Sequence, residues 1–485
     1  MKRTLKQVWI LVAMASISLA SCSLDPKISE NIDYTKDPIQ TEKQLDATVI
    51  GAYALMTDAK YYGNNVLAFS DARSNAYSDN RTNRVGSISA FTINSTARYA
   101  ADTWKQIYLV ISETNRALES QVPDSKEVKK LRGQAHILRA LAHFDVMRLY
   151  GQQYVDNKGL AGLGVPYITK YAATDDKVTR STVGENRLSI YADLDKGIEL
   201  LSEANTGSKV KVSLAAAYAF KARMALFFSN WESSDLEVAK NNASLAMSAS
   251  TGRIIERALF TDSYIAGDPQ GNTIFEMSRD KVFNSGTDSL YYIYVTHAIG
   301  YGDMLVNFDV DELFGDDAPE YVTDEDGVVI KVLPANDIRA ERTMINVVYG
   351  ELRNVGKYPK MESNLKLIRY EEMLLTFVEA DYRINNASSA EGLELLNSLR
   401  QNRLLNYTDV ASYDLEDIRL ERQKELLFEG FGFEDLMRFH LEVVNPRLRN
   451  SKGEIEPVKY GDQRLSFPIP QSEINASGIQ QNKGF

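Results

Sequence analysis

The sequence predicts a mainly α-helical protein in which paired helices form a scaffold, with long irregular loops and a few short strands. Apolar residues recur at steps of three and four over several long segments, which is the period of a buried helix face. Small residues occupy matching positions of neighbouring segments, and β-like runs are few and short. The composition, with 44% hydrophobic and 25% charged residues, is typical of a globular protein with a large core.

The N-terminal segment predicts export and a lipid anchor. A basic start precedes the apolar run 9–20, which has the length of a signal-peptide core and is too short to span a bilayer. The run ends in Leu-Ala-Ser-Cys, and Cys22 is the only cysteine of the chain. This order resembles the lipobox of bacterial lipoproteins, in which the thiol receives a diacylglyceryl group. We expect a lipoprotein signal peptide at 1–21 and lipidation at Cys22; the alternative is an ordinary signal peptide with a chance cysteine.

Beyond this segment the sequence predicts one large domain. Residues 22–41 are rich in Asp, Pro, Ser and Asn and are interpreted as a lipidated N-terminal tether, which leaves 42–485 as a single domain. With Cys22 acylated, the mature chain has no thiol for a disulfide, so its stability must come from packing. The formal net charge of -11 argues against a nucleic-acid ligand, because phosphates require a basic surface.

The segment 131–151 has the clearest helical pattern. One face is apolar, a second face carries alternating arginine and histidine, and Gly151 is predicted to end the helix. The apolar face comprises Leu131, Ala135, Leu138, Ala142, Val146 and Leu149, and the polar face comprises Arg132, His136, Arg139 and His143.

Three further segments predict helix hairpins. Segments 214–231 and 236–249 carry alanines at spacings that let two helices approach closely, which resembles a tetratricopeptide-type hairpin. A second pair spans 370–384 and 389–404, and a last pair runs over 415–439 with a break at Glu-Gly-Phe-Gly. The repeats are degenerate, so we expect a scaffold of hairpins and not a regular array.

Two long segments, about 61–98 and 253–360, are predicted to be irregular loops that bind a ligand. They are rich in Gly, Asn and Asp and contain scattered aromatic residues, with the short β-like runs "NTIFEMS" and "LYYIYVTH" in the second. Loops of this length inside a compact domain are usually functional.

Motifs for nucleotide binding, nucleophilic catalysis and metal binding are missing from the sequence. There is no Walker loop, no dinucleotide fingerprint and no Gly-x-Ser-x-Gly elbow. His136 and His143 stand two helical turns apart with Arg139 between them, which is a poor arrangement for a metal, so both are predicted to be structural. The acidic run 316–327 lacks both end ligands of a calcium loop.

A cluster of carboxylates near the C-terminus raises the question of glycosidase activity, because glycosidases use two carboxyl groups that flank the bond they cleave. Glu425, Glu429, Glu434 and Asp435 lie on a strongly apolar helix pair among several arginines. This setting predicts ion pairs that tie helix to helix, with catalysis as the less favoured alternative.

Several motifs taken together resemble the SusD/RagB family of outer-membrane nutrient-binding lipoproteins of Bacteroidetes. After the lipobox come "WKQIYLVISETN", "LRGQAHILRALAHFDVMRLYG" and "GVPYI", then "KYPK", "IRYEEMLLTFVEA" and "LLNSLRQNR", and finally "ERQKELLFEGFGFEDLMRF" and the C-terminal "FPIPQSEINASGIQQNKGF". Each motif is moderately specific, but their order spans essentially the whole mature chain. One departure is Phe431 and Gly432, where the family often has a basic or aromatic pair after its Phe-Glu-Gly.

The resemblance implies a cell-surface lipoprotein of the outer membrane that binds oligosaccharides and delivers them to a TonB-dependent, SusC-like transporter barrel. It implies no enzymatic activity, no cofactor and no metal. Two alternatives remain: a peptide-binding member of the same family, and a helical scaffold lipoprotein that binds a protein partner. A glycoside hydrolase that uses Glu425 or Glu429 is a third and weaker one.

The resemblance also implies a ligand site on loops of the N-terminal half, after the first long helix. Tyrosine rings offer faces for sugar C–H groups, and amide or charged side chains can bond to the hydroxyls. The residues predicted on this basis are Tyr61, Tyr62, Asn64, Asn65, Asp71, Arg73, Asn75, Tyr77, Asn80 and Arg81, with a second candidate patch at Tyr291, Tyr292 and Tyr301.

Overall fold

The structure is a computed structural model that describes residues 38–79, 84–171, 178–204, 207–294, 301–308, 310–323, 329–332, 334–348 and 350–485. The predicted signal peptide and Cys22, most of the tether, and Asn80 and Arg81 lie outside the described residues. Residues Ile39–Phe485 group into one unit. Within the part that is described, no helix is both long enough and apolar enough to cross a membrane.

The described residues form sixteen α-helices and eight short strands, so the predicted mainly α-helical class is confirmed. The helices are α1 (Glu42–Met56), α2 (Asn65–Ala72), α3 (Gly86–Ser89), α4 (Arg98–Leu118), α5 (Lys126–Tyr150), α6 (Val183–Ala204), α7 (Leu214–Phe228), α8 (Asp235–Ala249), α9 (Asp262–Ile265), α10 (Leu290–Tyr294), α11 (Val310–Phe314), α12 (Tyr370–Asn385), α13 (Ala390–Gln401), α14 (Leu415–Leu426), α15 (Gly432–Arg438) and α16 (Gln471–Ser477). The strands are β1 (Tyr77–Asp79), β2 (Thr273–Met277), β3 (Met304–Val306), β4 (Tyr321–Thr323), β5 (Val329–Val332), β6 (Ile345–Val348), β7 (Glu351–Asn354) and β8 (Leu365–Arg369).

Local sequence signals fix where the long helices begin. Five of them start after a Ser, Thr or Asp whose side chain accepts a hydrogen bond from the backbone N–H three residues later, which satisfies a donor that the helix leaves open. These N-cap residues are Thr41, Ser125, Ser213, Ser389 and Asp414. The helix α5 ends at Gly151, as predicted.

Two of the three predicted hairpins form, because α7 packs along α8 and α12 along α13. In the last predicted pair, 415–439, α14 packs instead against α12 and α15 against α2, so this prediction is wrong. Helix α5 also packs along α6, and α12 along α8. Small residues make the close contacts possible: a Cβ on Gly133 of α5 would lie 2.9 Å from Leu201 of α6, and one on Gly197 would lie 2.5 Å from Ile137. The alanines predicted to line the α7–α8 pair, Ala217, Ala222, Ala225, Ala239, Ala243 and Ala246, are all buried.

The strands form four separate two-stranded antiparallel sheets. Strand β2 pairs with β8, as the β-like run "NTIFEMS" suggested, and it is buried along its whole length. Strand β1 pairs with β3 so that Tyr77 lies opposite Val306. This pairing brings the two segments with predicted ligand contacts together, although they are far apart in the chain.

Two further local predictions are wrong. The run "LYYIYVTH" was predicted as β-like, but Leu290–Tyr294 is the short helix α10, which buries Leu290, Ile293 and Tyr294 at helical spacing. The segment 61–98 is not a continuous loop, because it contains α2, whose eight residues are all buried, and α3.

Candidate functional site

The structure divides the predicted ligand contacts into a buried group, a group that lines a cavity and an exposed group. The buried group is held in the core by specific contacts. The Tyr61 hydroxyl donates to Asp145 at 2.7 Å, and the Tyr61 ring centroid lies 4.6 Å from that of Tyr62. The Asn65 amide donates to Thr103 at 2.8 Å. Burial, and then the charge of Asp145, raise the pKa of Tyr61 well above its usual value.

Arg73 and Asn64 complete the buried group. The Arg73 guanidinium lies 3.8 Å from the ring centroid of Phe433 and 4.7 Å from that of Phe467, and burial lowers its pKa to about 10. Asn64 precedes α2 and is also buried. All five residues are buried, so binding through them stays a prediction without support from their positions.

The second group lines a cavity between the residues that follow α2 and the helix α14. Asp71, Asn75 and Tyr77 contribute to its wall, and its volume is about 310 Å³. The Asp71 carboxylate accepts a hydrogen bond from the Tyr294 hydroxyl at 2.5 Å and one from the Gly430 backbone at 3.3 Å. Burial outweighs these bonds and raises the pKa of Asp71 to about 7.

The third group forms a surface that we call the tyrosine patch: Tyr291, Tyr292 and Tyr301, with Arg84 and Asp288. The ring centroids of Tyr291 and Tyr292 are 5.3 Å apart, and those of Tyr292 and Tyr301 are 6.3 Å apart. Tyr301 is 50% exposed, and Tyr291 and Tyr292 are half-buried. Partial burial raises the pKa of Tyr291. The three tyrosines are therefore partly exposed to solvent while they contact one another.

Arg84 is the centre of the tyrosine patch. Its guanidinium carbon lies 4.0 Å from the ring centroid of Tyr301, which is a cation–π contact. Its Nη1 donates to the Thr287 carbonyl at 2.8 Å and lies 3.2 Å from an Asp288 oxygen, and its Nε lies 3.5 Å from an Asp303 oxygen. The positive charge is thus balanced by carboxylates, and the planar group supports the aromatic ring.

Backbone contacts hold the tyrosine patch to the scaffold. The Gly302 N–H donates to the Tyr292 carbonyl at 2.9 Å, and the Gly302 carbonyl accepts from the buried Arg353 at 2.8 Å. Gly302 has a φ of 51°, a conformation that glycine adopts without strain, and it leads directly into β3. The pairing of β3 with β1 then fixes the turn against the segment that contains Tyr77.

Sequence reasoning missed Arg84 and Asp288. Arg84 donates to a carbonyl 203 residues away in the chain, and no local pattern marks that contact. The neighbouring turn also carries two exposed apolar side chains, Val282 and Phe283, at 82% and 75% exposure. The polar residues that surround the pair in the sequence are a signal that could have indicated this exposure.

The carboxylates tested for catalysis are all paired with cations. Glu425 accepts from Arg369, Arg403 and Arg339, with atoms 2.8–3.1 Å apart, and Glu429 accepts from Lys357 and Arg369. We call this the buried charge network; its members are Lys357, Arg339, Arg369, Arg403, Glu371, Glu425 and Glu429. The predicted ion pairs between elements are confirmed, and they also include Glu434 with Arg148 and Asp435 with Arg422.

Both histidines of α5 have structural partners. His136 Nδ1 lies 2.8 Å from an Asp193 oxygen. His143 stacks on Tyr167 with ring centroids 3.8 Å apart and accepts from the Ile168 N–H, and burial lowers its pKa to about 3. In the part of the chain that the structure describes, no three His, Cys, Asp or Glu side chains are grouped to hold a metal ion.

The fold and the tyrosine patch define a class of protein: a helix-hairpin scaffold with a small, partly exposed aromatic surface formed by α10 and the residues just before β3. Two family models match the chain, one described as "Starch-binding associating with outer membrane" over residues 24–226 and one described as "SusD family" over residues 291–485. The chain belongs to the SusD family.

Individual relatives agree with this assignment. The SusD-like protein P38 of Formosa agariphila is 27% identical over 391 residues, which cover 71% of this chain and 73% of that protein. A SusD superfamily protein of Bacteroides thetaiotaomicron superposes with a TM-score of 0.78 at 22% identity, covering 91% of this chain and 99% of that one. The surface glycan-binding protein A of Bacteroides fluxus gives a TM-score of 0.71 at 20% identity, covering 92% and 100%. At these identities the solved structures show the shared fold.

Proposed function

We propose that this protein binds oligosaccharides through the tyrosine patch and delivers them to a TonB-dependent transporter at the outer membrane. The main support for an oligosaccharide ligand is the half-exposed ring of Tyr301, which lies against Arg84. A sugar ring has an apolar C–H face that can lie on the tyrosine, and its hydroxyl edge can bond to the neighbouring Asp288. The family description, which names starch binding and the outer membrane, and the glycan-binding relative of similar fold support the same ligand class.

The buried charge network supports a binding role over a hydrolytic one. A glycosidase needs one carboxyl group that donates a proton and a second one that attacks or activates water. Glu425 and Glu429 each contact two or more cations and are buried. Burial disfavours their charge, but the attraction of Arg403 and Arg369 outweighs it and holds the pKa of Glu425 well below its usual value. A carboxylate in this state is a poor proton donor.

Titration calorimetry of the mature domain against a panel of neutral oligosaccharides and short peptides tests the ligand class. We expect heat from at least one oligosaccharide, and a loss of about tenfold or more in affinity for Tyr301→Ala, which corresponds to about 1.4 kcal/mol. Leu405→Ala is the matched control, because Leu405 is also exposed, at 63%, and lies outside the patch. Heat from peptides alone would favour the peptide-binding alternative and contradict the oligosaccharide proposal.

The anchor and the transporter need separate experiments. We propose that Cys22 carries the lipid and that the protein faces the cell surface. Labelled palmitate should enter the wild-type protein and not Cys22→Ala, and labelling of Cys22→Ala would contradict the lipobox interpretation. A TonB-dependent barrel should co-purify with the protein from solubilised outer membranes. Recovery of a different assembly without any barrel would instead favour a scaffold that binds a protein partner.

A further inference from the structure

The cavity beside Asp71 lies outside the tyrosine patch and shares no residue with it. One wall is the segment 71–77, and the other is formed by α14, the following turn and α15. The lining includes Asp71, Ser74, Tyr77, Gln423, Phe431 and Leu441. Its volume of about 310 Å³ is at the lower end of small-molecule sites, which occupy roughly 300–1,000 Å³.

Two residues hold the walls of the cavity in place. Gly432 lets the two walls approach closely at one point, because a Cβ there would lie 2.7 Å from Ser74. Asn75 ties one wall to the 442–444 segment, because its amide donates to the Glu442 carbonyl at 3.1 Å and accepts from the Val444 N–H at 2.7 Å. The walls are therefore held by hydrogen bonds that do not depend on an occupant.

The cavity has an apolar floor and a polar edge. Tyr77, Leu426, Leu427 and Leu436 are buried and supply the apolar surface. Ser74, Gln423 and the Asp71 carboxyl add polar groups to the lining. The Ser74 hydroxyl already donates to the Asp71 carbonyl at 2.8 Å, and Gln423 Oε1 accepts from Arg419 at 3.1 Å, so an occupant would bond to the Ser74 oxygen as acceptor, to the Gln423 NH2 group and to the Asp71 carboxyl.

The fixed charges of the lining are already paired within the protein. Arg419 donates to Glu416 at 2.7 Å, and Arg422 donates to Asp435 at 3.1 Å and 3.2 Å. Asp71 is the remaining acid, and its raised pKa of about 7 makes it easy to protonate near neutral pH. A charged ligand would have to compete with these pairs, whereas a neutral one would not.

We propose that this cavity is a second binding site, for a neutral carbohydrate of one or two hexose units. The C–H face of the sugar lies on Phe431 and the leucines, and its hydroxyls bond to Ser74, Gln423 and Asp71. The proposal goes beyond oligosaccharide binding at the tyrosine patch and does not need that function to be correct.

Methyl NMR of leucine-labelled protein tests the site directly, with maltose, cellobiose and lactose as probes and glucuronate and triglycine as comparisons. We expect at least one disaccharide to shift the methyl signals of Leu426, Leu427, Leu436 and Leu441, while the core residue Leu375 stays unchanged. Gln423→Trp fills the cavity from its rim and should weaken this binding at least tenfold. Gln401→Trp, the matched control, places the same side chain at an exposed position outside the cavity and should change the binding less than threefold.

The outcomes separate the two sites. Shifts of the four leucines that persist in Tyr301→Ala and disappear in Gln423→Trp support the cavity site, whether or not the tyrosine patch binds sugar. The proposal is overturned if none of the three disaccharides moves these signals, if the shifts survive Gln423→Trp, or if glucuronate or triglycine binds there more tightly than every disaccharide. Loss of the same shifts in Tyr301→Ala would assign them to the tyrosine patch and also overturn it.

Discussion

Arg403 and Arg84 make the same kinds of contact in two different parts of the molecule. Arg403, in the buried charge network, lies 2.9 Å from Glu371 and 2.8 Å from Glu425, and its guanidinium carbon is 4.6 Å from the ring centroid of Phe260. Every one of these groups is buried. Its Nη1 donates to the backbone carbonyls of Ile255 and Asn402, so all three guanidinium nitrogens have partners inside the protein.

Arg84, in the tyrosine patch, also has two carboxylates and an aromatic ring, but the patch opens to solvent. The side chain of Asp288 is 62% exposed and Tyr301 is 50% exposed. The same chemistry therefore serves two purposes. The buried Arg403 joins separate segments of the scaffold. The partly exposed Arg84 instead supports the Tyr301 ring, on which we propose that a ligand binds.

The largest expected effect comes from the same substitution at both positions. In Arg403→Lys a single ammonium replaces a fork that bonds to two buried carboxylates, which leaves buried acceptors unsatisfied. We expect a loss of about 3 kcal/mol in the free energy of unfolding, measured by urea denaturation. Arg84→Lys should cost less, about 1 kcal/mol, because the pair with Asp288 is partly solvated and lysine keeps a positive charge beside the buried Asp303. Equal losses would show that burial does not separate the two sites.

The second prediction concerns the loss of folding stability at low pH. Burial disfavours the charge of Glu379, but Arg438, Arg383 and Arg422 outweigh it and lower its pKa to about 2. Because the folded pKa lies below the unfolded value, this stability is present above about pH 4.5 and is lost as the pH falls toward 2. The loss should reach roughly 3 kcal/mol at this residue.

Urea denaturation at a series of pH values measures this loss in the free energy of unfolding. The profile of Glu379→Gln should lack the part of the acid-induced loss that comes from Glu379. The exposed Glu416 is the control: Glu416→Gln should leave the acid part of the profile close to that of the wild type. Parallel profiles for wild type and Glu379→Gln would contradict the assignment.

The third prediction concerns Asp71, a carboxyl group that lowers folding stability as the pH rises. Asp71 has a folded pKa of about 7, above its unfolded value, so its ionisation costs stability as the pH rises from about 4 through 7. Asp71→Asn keeps an acceptor for the Tyr294 hydroxyl and carries no charge. We expect it to stabilise the protein by about 2 kcal/mol at pH 8 and by almost nothing at pH 4, measured by urea denaturation at both values. Destabilisation at pH 8 would show that the carboxylate is needed there.

The sequence predicted the scaffold well because its signals are local. The alanine spacing of α7 and α8, the periodic pattern of α5 and the side-chain caps at Ser213 and Ser389 each lie within a few residues of the structure they specify. The pairing of β1 with β3 could not be predicted, since it joins three-residue strands more than 200 residues apart. The sequence of helix α10 favours a β-like run, because its five aromatic and aliphatic residues show no clear period.

The site was predicted only in part, because residue type does not report burial. Tyr61 and Tyr301 are the same residue in similarly polar surroundings of the sequence, yet one is fully buried and the other is half exposed. The difference arises from tertiary structure: Asp145 of α5 accepts the Tyr61 hydroxyl, whereas Tyr301 lies on a turn above Arg84. Neither partner is within 80 residues of its tyrosine along the chain.

The smallest predicted effect uses these two tyrosines to separate structural from binding residues. Tyr61→Phe removes the donor to the buried Asp145 carboxylate and should lower the free energy of unfolding by about 1 kcal/mol while ligand affinity stays within twofold of wild type. Tyr301→Phe keeps the exposed ring face and should change stability by less than about 0.5 kcal/mol, as most surface substitutions do. Urea denaturation and calorimetry on the same preparations give both quantities. If Tyr61→Phe weakened oligosaccharide binding without destabilising the protein, Tyr61 would belong to the ligand site after all, and its buried position would have to change when the ligand binds.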